Sequence, residues 1–272
     1  MEVVRHETED GAWEVARRRP ARALAPYVQR AIEGWTKTRG AAYVSREIPF
    51  PGVPLILNLG ARWTVDGGDR DSFLAGLSDR ATMVEGAATF SCVELRLTPL
   101  GAHRLLGLPM HELTNRAEEL DDLLPAAELG ARLRDTHSWA ARFDLVERFL
   151  LRRIEESRPH ADGVEWAWRR LVQTGGRQSI RSLAQELGWS QRRLIARFRE
   201  GIGLPPKAAA RVIRFDRCVA ELRAGVALAE TAHACGYFDQ AHLNRDFRRF
   251  AGTTPTAFLS KTSGAMGSTL GA

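Results

Sequence analysis

The sequence predicts an α+β protein: a small β-barrel or sandwich with flanking helices, then an all-α domain of two similar helical modules joined by a connecting helix. Three observations predict this architecture. A chain of 272 residues is longer than one hydrophobic core usually supports. Short apolar runs separated by turn residues fill residues 43–97, which is typical of strands. One helical pattern then occurs twice between residues 179 and 258.

The two copies of the helical pattern share six landmarks. These are Ala184 and Ala232, Gly188 and Gly236, Leu194 and Leu243, Phe198 and Phe247, Gly203 and Gly252, and Pro205 and Pro255, which recur 48 to 50 residues apart. In the first copy we expect Ser179 to cap a helix over residues 180–187. Gly188 then ends that helix in a left-handed conformation, and Ser190 caps the next one. Asp239 is the expected cap in the second copy. Two helices joined by a glycine turn form a helix-turn-helix, whose second helix enters the DNA major groove.

The second helix of each copy carries an apolar stripe and an opposite basic face. The outward face holds Arg192, Ala196 and Arg199 in the first copy, flanked by Arg193 and Ile195. In the second copy it holds Ala241, Arg245 and Arg248, flanked by His242 and Asn244. A single basic face is often only a solvated surface, but matched faces in two copies favour contact with DNA.

These motifs resemble a known family. Leu183-Ala184-x-x-Leu187-Gly188, Leu194-x-x-x-Phe198, Gly236-Tyr237-Phe238-Asp239-Gln240-Ala241-His242-Leu243 and Phe247-x-x-x-x-Gly252-x-x-Pro255 look like the double helix-turn-helix domain of AraC/XylS-family transcription regulators. The resemblance covers about 100 residues and implies a connecting helix over 207–223 with an apolar stripe. The stripe is Val212, Phe215, Val219 and Leu222. Where the family often has an aromatic residue, this chain has Ala208-Ala209-Ala210, so we expect looser packing between the modules.

The resemblance also implies which residues contact DNA. The base-reading positions fall on Arg192, Ile195, Ala196, Gln240, Ala241, Asn244 and Arg245. Arginine reads guanine and asparagine or glutamine reads adenine, while the apolar members favour thymine methyl groups or DNA shape. Ser190, Arg193, Arg197 and Arg248 are expected to contact phosphates, which position the protein without specifying sequence.

Charge is divided unevenly between the two parts of the chain. From Ala161 onward there are 17 Lys and Arg against 9 Asp and Glu, a net of +8, whereas the remainder has a net of −2. This asymmetry predicts a polyanionic partner at one end only. The three scattered cysteines form no CxxC pair and indicate a reducing compartment. The sequence has no apolar run long enough for a spanning helix and no signal peptide, so we expect a cytoplasmic protein with no membrane partner.

The N-terminal part reads as strands followed by helices. We expect strands at 43–48, 53–59, 62–65, 73–77, 83–85 and 91–97, a short helix after Pro26, and helices at 102–106, 117–124, 126–134 and 139–156. The Arg17-Arg18-Arg19 cluster is expected on a solvated surface rather than on DNA. The last of these helices has an apolar stripe of Phe143, Val146, Leu150 and Ile154. This stripe either pairs two subunits or packs on its own barrel, and both alternatives remain open.

The predicted boundaries are an effector-sensing or dimerisation domain at 1–157, a linker at 158–163, the DNA-binding domain at 164–262 and a disordered tail at 263–272. The N-terminal part is similar to the sensor domains that precede the double helix-turn-helix in a subset of the same family. A small barrel can enclose one ligand. The candidate pocket residues are Trp35, Tyr43, Phe50, Trp63, Phe73, Phe90 and Arg96, with Arg46 or Glu94 as alternative polar anchors.

The sequence contains no recognisable catalytic or metal site. The histidines lack the H-x-H spacing of a barrel metal site, and His111-Glu112 lacks the second histidine of a zinc-protease motif. We therefore predict no enzyme activity, no metal and no cofactor.

The function predicted from the sequence is a sequence-specific transcription regulator. Its expected partners are double-stranded DNA, an unidentified small-molecule effector, a second copy of the chain, and RNA polymerase if it activates. Two alternatives stay open: a non-specific nucleic-acid-binding protein, and an enzyme with a fused DNA-binding regulatory domain. Binding that depends on salt but hardly on sequence would favour the first alternative, and a tightly retained metal would favour the second.

Overall fold

A computed structural model describes residues 1–8, 11–157 and 162–262. The N-terminal part contains two sheets. Its strands are β1 (Glu2–Thr8), β2 (Gly11–Arg18), β3 (Ile32–Gly40), β4 (Tyr43–Glu47), β5 (Val53–Asn58), β6 (Trp63–Val65), β7 (Gly68–Arg70), β8 (Phe73–Ala75), β9 (Thr82–Gly86), β10 (Phe90–Leu97) and β11 (Ala117–Glu119). One sheet has the order β1-β2-β3-β10-β5-β8-β11 and the other β4-β9-β6-β7, with antiparallel neighbours.

Four helices flank these sheets: α1 (Pro99–Leu106), α2 (Leu120–Leu123), α3 (Ala127–Asp135) and α4 (Trp139–Glu156). Short 3-10 helices span Arg22–Leu24 and Met110–Leu113. The α4 stripe, Phe143, Val146, Leu150 and Ile154, is buried in the core of its own chain. Of the two roles left open for that stripe, the structure shows packing on its own domain.

Strand β10 separates the two sides of the N-terminal part. Val93, Leu95 and Leu97 face the core shared with α1 and α4, because side chains alternate along a strand. Cys92 packs instead in a second, aromatic-rich cluster with Trp35 and Trp63. Glu94 and Arg96 lie on the same side of the strand as Cys92, and they line a cavity there. This alternation places a charged pair inside the protein.

Two N-terminal predictions were wrong, and three strands were missed. Ala117–Glu119 is strand β11 rather than helix, because it pairs with β8, and the helix begins only at Leu120. The helix expected after Pro26 does not form, since Val28 bridges to Leu97 and the chain continues into β3 at Ile32. Strands β1, β2 and β3 were not predicted.

The arginine cluster that was expected on a solvated surface is held by acidic partners. Arg17 pairs with Glu33 (Nε–Oε1 2.7 Å), and Arg18 pairs with Asp144 and Glu147 of α4 (2.6 and 2.9 Å). Arg18 therefore ties β2 to α4. These contacts give the first two members of the cluster a structural role.

The C-terminal part is all helical: α5 (Asp162–Gln173), α6 (Ile180–Glu186), α7 (Gln191–Ile202), α8 (Pro206–Arg223), α9 (Leu228–Ala234), α10 (Gln240–Ala251) and α11 (Pro255–Thr262). Most of the predicted linker and the whole predicted tail lie outside the described residues, although α5 already begins at Asp162. Gly188 and Gly236 have φ of 63° and 75°, the left-handed conformation expected after α6 and after α9.

Helix α8 joins the two modules. Its stripe, Val212, Phe215, Val219 and Leu222, is buried as predicted. At its N-terminal end, Ala209 and Ala210 are buried, and a Cβ on Gly176 would come within 2.1 Å of the Ala210 carbonyl oxygen. The small residues at this point therefore let the turn after α5 approach α8 closely.

The two parts of the chain pack against each other. Helix α7 contacts α1 and the 3-10 helix Met110–Leu113. Ile202 and Met110 are fully buried there, and Gly203 lies against the Met110 carbonyl. Arg249 of α10 pairs with Asp79 across the same boundary (Nη2–Oδ2 2.9 Å). Both modules thus touch the N-terminal part through the ends of their second helices.

Candidate DNA interface and effector cavity

Helix α7 presents one face to its own module and one face to solvent. The Ser190 hydroxyl accepts a hydrogen bond from the Arg193 backbone N–H (3.2 Å), which caps the helix. Leu194 and Phe198 are fully buried, and the Phe198 ring lies against Trp168 of α5 (centroids 6.3 Å). The predicted base-reading residues Arg192, Ile195 and Ala196 are all exposed. The contacts with the N-terminal part involve the far end of α7 and leave this face open.

Helix α10 repeats the arrangement. The Asp239 carboxylate accepts a hydrogen bond from the His242 backbone N–H (2.7 Å), and Leu243 and Phe247 are fully buried. Among the predicted base-reading residues, Gln240, Ala241 and Arg245 are exposed. Asn244 is half-buried, and its Oδ1 has no hydrogen-bond partner among the described residues.

The predicted phosphate contacts lie beside these faces, and all four are exposed. The Arg193 guanidinium stacks over the Trp189 ring (4.6 Å), and Arg197 pairs with Glu200 (Nη1–Oε2 3.0 Å). Arg248 lies in the last turn of α10. Both side chains of the Arg197–Glu200 pair are exposed, so the pair is weak and leaves Arg197 available for the predicted phosphate contact.

A buried network fixes α10 on the connecting helix. Asp246 of α10 is 3% exposed; its Oδ1 accepts from Arg211 Nη2 of α8 (2.6 Å), and its Oδ2 accepts from the Tyr237 hydroxyl (3.2 Å). Burial and the nearby Asp246 carboxylate raise the pKa of Tyr237. The hydroxyl therefore keeps its proton and remains a donor. The orientation of α10 follows from this network as well as from its apolar stripe.

Phe238 was singled out only as part of the family motif, but the structure leaves it 94% exposed. It directly precedes Asp239, the cap of α10. Its place at the start of the second recognition helix puts a phenyl ring beside the predicted DNA-reading face. The signal in the sequence was an aromatic residue just before a polar cap.

The N-terminal part contains a cavity of about 130 Å³. Five of the seven predicted pocket residues line it: Tyr43, Phe50, Trp63, Phe73 and Arg96. Trp35 and Phe90 do not line the cavity but belong to the aromatic cluster behind it, where Phe90 packs against Trp63 (ring centroids 4.9 Å). Of the two alternative anchors, Glu94 lines the cavity and Arg46 does not.

A pair of charged side chains lies at the polar end of this cavity. Arg96 Nε donates to Glu94 Oε1 (3.3 Å), and both residues are buried. Burial raises the pKa of Glu94 to about 7; Arg96 opposes this shift, while Glu33 and Glu47 add to it. Glu94 is therefore partly protonated near neutral pH.

The connecting helix supplies part of the cavity wall. Asp216 and Val219 of α8 line it together with the strands of the N-terminal part. Burial raises the pKa of Asp216, and Arg30, Arg96 and Arg223 oppose that shift. Sequence reasoning missed Asp216, although an acid between Phe215 and Val219 on an apolar stripe was a visible signal. The cavity thus touches the helix that joins the two helical modules.

Within residues 1–8, 11–157 and 162–262, no group of three or more His, Cys, Asp or Glu is placed to hold a metal ion. Cys92, Cys218 and Cys235 are buried free thiols. Burial raises the pKa of Cys92 well above the ordinary value of a thiol. No helix in the part of the chain that the structure describes is long and apolar enough to cross a membrane.

Two family profiles match the chain. One, described as a helix-turn-helix domain, matches residues 183–261, and the other, a domain of unknown function (DUF6597), matches residues 16–119. No curated protein matches the chain significantly.

Several solved structures align with this chain along most of its length. A fatty-acid-bound ToxT from Vibrio cholerae is 11% identical, with a TM-score of 0.49 over 89% of this chain and 96% of that one. Another ToxT structure from Vibrio cholerae is 10% identical, with a TM-score of 0.47 over 84% and 97%. The AraC-like transcriptional activator CuxR is 14% identical, with a TM-score of 0.34 over 77% and 84%. These values are too low to transfer a ligand to this chain.

The identification rests on the C-terminal part. Both modules have the predicted caps, glycine turns and buried stripes, and both present exposed arginines on the second helix. The helix-turn-helix profile covers both modules. The C-terminal part is a double helix-turn-helix domain of the AraC/XylS type, the DNA-binding domain of a transcription regulator, and it follows a sheet-rich N-terminal domain.

Proposed function

We propose that the chain binds a specific duplex site through α7 and α10, under the control of a small molecule in the cavity of the N-terminal domain. One observation carries this proposal. Helix α8 connects the two DNA-binding modules and also supplies Asp216 and Val219 to the cavity wall. The same element therefore contacts the effector site and sets the relative position of the recognition helices.

On DNA, the two helices would occupy successive major-groove segments about 34 Å apart on one face of the duplex. Arg245 and Asn244 offer the side chains that read guanine and adenine edges. Ile195 and Ala196 are apolar and exposed, which suits thymine methyl groups. The proposed phosphate contacts, Arg193, Arg197 and Arg248, fix the register.

Control by a ligand requires that the ligand bind one arrangement of the modules better than another. A molecule in the cavity contacts α8 directly, so it can favour one position of that helix relative to the sheets. The Asp246–Arg211 contact then passes a displacement of α8 to α10. The shift in DNA affinity is limited to the difference in ligand affinity between the two arrangements.

We further propose that the chain acts in the cytoplasm, without catalysis and without a cofactor. A second copy of the chain is an expected partner, as is RNA polymerase if the protein activates. The α4 stripe is covered in its own domain, so the dimer contact would use another surface.

DNA selection from a random or genomic library, with the full-length protein at two salt concentrations, tests the proposal. We expect an enriched motif of two blocks about one helical turn apart, bound at least ~10³-fold tighter than random DNA. A variant with Arg192 and Arg245 changed to alanine is the matched control and should lose the motif. Equal retention of all sequences, with affinity that collapses at the higher salt, would refute sequence-specific binding.

A further inference from the structure

The Glu94 carboxylate is a buried charged group in the wall of the cavity. It is 6% exposed, and it accepts one long hydrogen bond, from Arg96 to Oε1. Its other oxygen, Oε2, is buried and has no hydrogen-bond partner within the described residues. A buried carboxylate oxygen without a partner is costly. Because Glu94 lines the cavity, a donor group on a bound molecule would remove that cost.

Arg96, the neighbouring cation, is already engaged. Its guanidinium lies over the Phe50 ring (4.9 Å) and donates to Glu94. The other arginine of the cavity wall, Arg80, donates to the Asn115 carbonyl (3.0 Å) and approaches Asp66, and its side chain is 58% exposed. Both arginines therefore already have partners, and an anionic ligand would have to compete with them.

The charged side chains that line the cavity are Glu47, Glu94, Asp216, Arg80 and Arg96, one more acid than base. Glu47 accepts from the Tyr43 hydroxyl (2.9 Å). The charged and titratable groups that face Glu94 are Glu33 of β3, Glu47 and Tyr43 of β4, Cys92 and Arg96 on its own strand, and Arg30, which lines a small recess together with Glu94 and Arg96. This arrangement favours a positive rather than a negative guest.

Aromatic rings form much of the remaining wall. Tyr43, Phe50, Trp63 and Phe73 all line the cavity, and Tyr43 meets Trp63 edge-on (centroids 5.9 Å). Aromatic faces attract cations, most strongly where water is excluded. A cavity of about 130 Å³ is close to the size of engineered cavities that hold a single benzene ring.

We propose that this cavity binds a small organic ammonium compound, in which a protonated amine is held by Glu94 and an apolar body of about one aromatic ring packs against the aromatic wall. The proposal rests on the proposed function and names the chemical class of its effector. Asp216 of α8 lines the same cavity, but Arg30, Arg96 and Arg223 already act on its carboxylate, so Glu94 is the acid that holds the ammonium group.

The test compares three probes of equal ring size on the full-length protein by isothermal titration calorimetry: benzylamine, benzyl alcohol and phenylacetate. We expect benzylamine to bind at least ~10-fold tighter than phenylacetate, with benzyl alcohol between them. Glu94→Gln should weaken benzylamine at least ~10-fold and change benzyl alcohol less than ~3-fold. Glu118→Gln, a change outside the cavity in β11, is the matched control and should change neither. Melting curves establish that both variants fold.

The pH dependence gives a second readout. Since the pKa of Glu94 is about 7, the affinity for benzylamine should rise between about pH 6 and about pH 8, as Glu94 loses its proton. Glu94→Gln should lose this rise. An affinity that falls over the same range would mean that protonated Glu94 or Arg96 is the binding group.

The proposal is overturned if phenylacetate binds tighter than benzylamine, if Glu94→Gln leaves benzylamine unchanged, or if none of the probes binds at millimolar concentration. DNA selection on the same preparation separates the two proposals. An enriched motif without amine binding refutes only the ligand class, whereas amine binding without a motif refutes only sequence-specific regulation.

Discussion

At the scale of single residues, Arg245 and Arg248 lie three positions apart on the exposed side of α10 and have different expected roles. Arg245→Ala should cost about 1–3 kcal/mol at the selected DNA site and relax specificity at one base pair. Arg248→Ala should weaken binding to all sequences about equally and reduce the salt slope by about 1. Titrations of the selected site and of single-base variants measure both effects. A uniform loss for Arg245→Ala would show that it contacts only phosphate.

Glu94 gives a stability prediction of its own. Its pKa is raised from 4.5 to about 7, so the folded protein holds this proton over a range in which the unfolded chain has lost it. Stability from this group is present below about pH 4.5 and is lost as pH rises through about 7, at about 1.4 kcal/mol per pH unit. Glu94→Gln removes this loss. The free energy of unfolding of the variant minus that of the wild type should therefore be about 3 kcal/mol larger at pH 7 than at pH 4.5. Urea titrations across this range measure it. A constant difference between the two proteins would contradict a buried, titrating Glu94.

The sequence predicted the caps of the two recognition helices correctly, but it predicted the residues that line the cavity only in part. Ser190 and Asp239 cap the helices they were expected to cap, because capping depends on local sequence. Cavity lining depends instead on which distant elements meet. Trp35 and Phe90 are aromatic strand residues like Tyr43, yet they pack behind the wall. Asp216 lies on a helix far along the chain, and no local pattern brings it to a strand residue such as Glu94.

At the scale of whole elements, the core of the first module depends on Phe198. The ring is fully buried between α7 and the α5 residue Trp168. Phe198→Ala should destabilise the module by about 3–5 kcal/mol, because the cavity left behind cannot close completely. Thermal or urea unfolding measures the loss, with Ile195→Ala on the exposed face of the same helix as control. An unchanged melting curve would refute the placement of α7.

Elements of the helical domain followed from the sequence better than those of the sheets. Periods of three and four residues fix the buried side of α7, α8 and α10. The Ala117-Glu118-Glu119 run favours helix by composition, but pairing with Phe73–Ala75 makes it a strand. The first three strands were missed for the same reason. Strand β1 pairs with β2, β2 with β3, and β3 with β10, so pairing rather than a clear local alternation defines these strands.

At the scale of the whole molecule, the distribution of charge predicts which part holds DNA. Residues 161–272 carry a net charge of +8 and both recognition helices, whereas residues 1–160 carry −2. The boundary between the parts is also a packing interface, since Ile202 and Met110 are fully buried there. DNA affinity and stability should therefore respond differently when the parts are separated.

A chain of residues 161–272 should bind the selected site with the salt slope of the full-length protein, to within about one phosphate contact. It should melt at a lower temperature, because the end of α7 loses its cover from α1 and the Met110–Leu113 helix. Residues 1–157 should retain no DNA at any salt concentration. Electrophoretic mobility shifts at several salt concentrations and thermal melts of all three proteins measure these outcomes. Two results would show that the N-terminal domain also binds phosphate. One is retention of DNA by residues 1–157, and the other is a salt dependence of the 161–272 fragment that is lower by several phosphate contacts than that of the full-length protein. Either result would contradict the inference from charge that only the C-terminal part binds DNA.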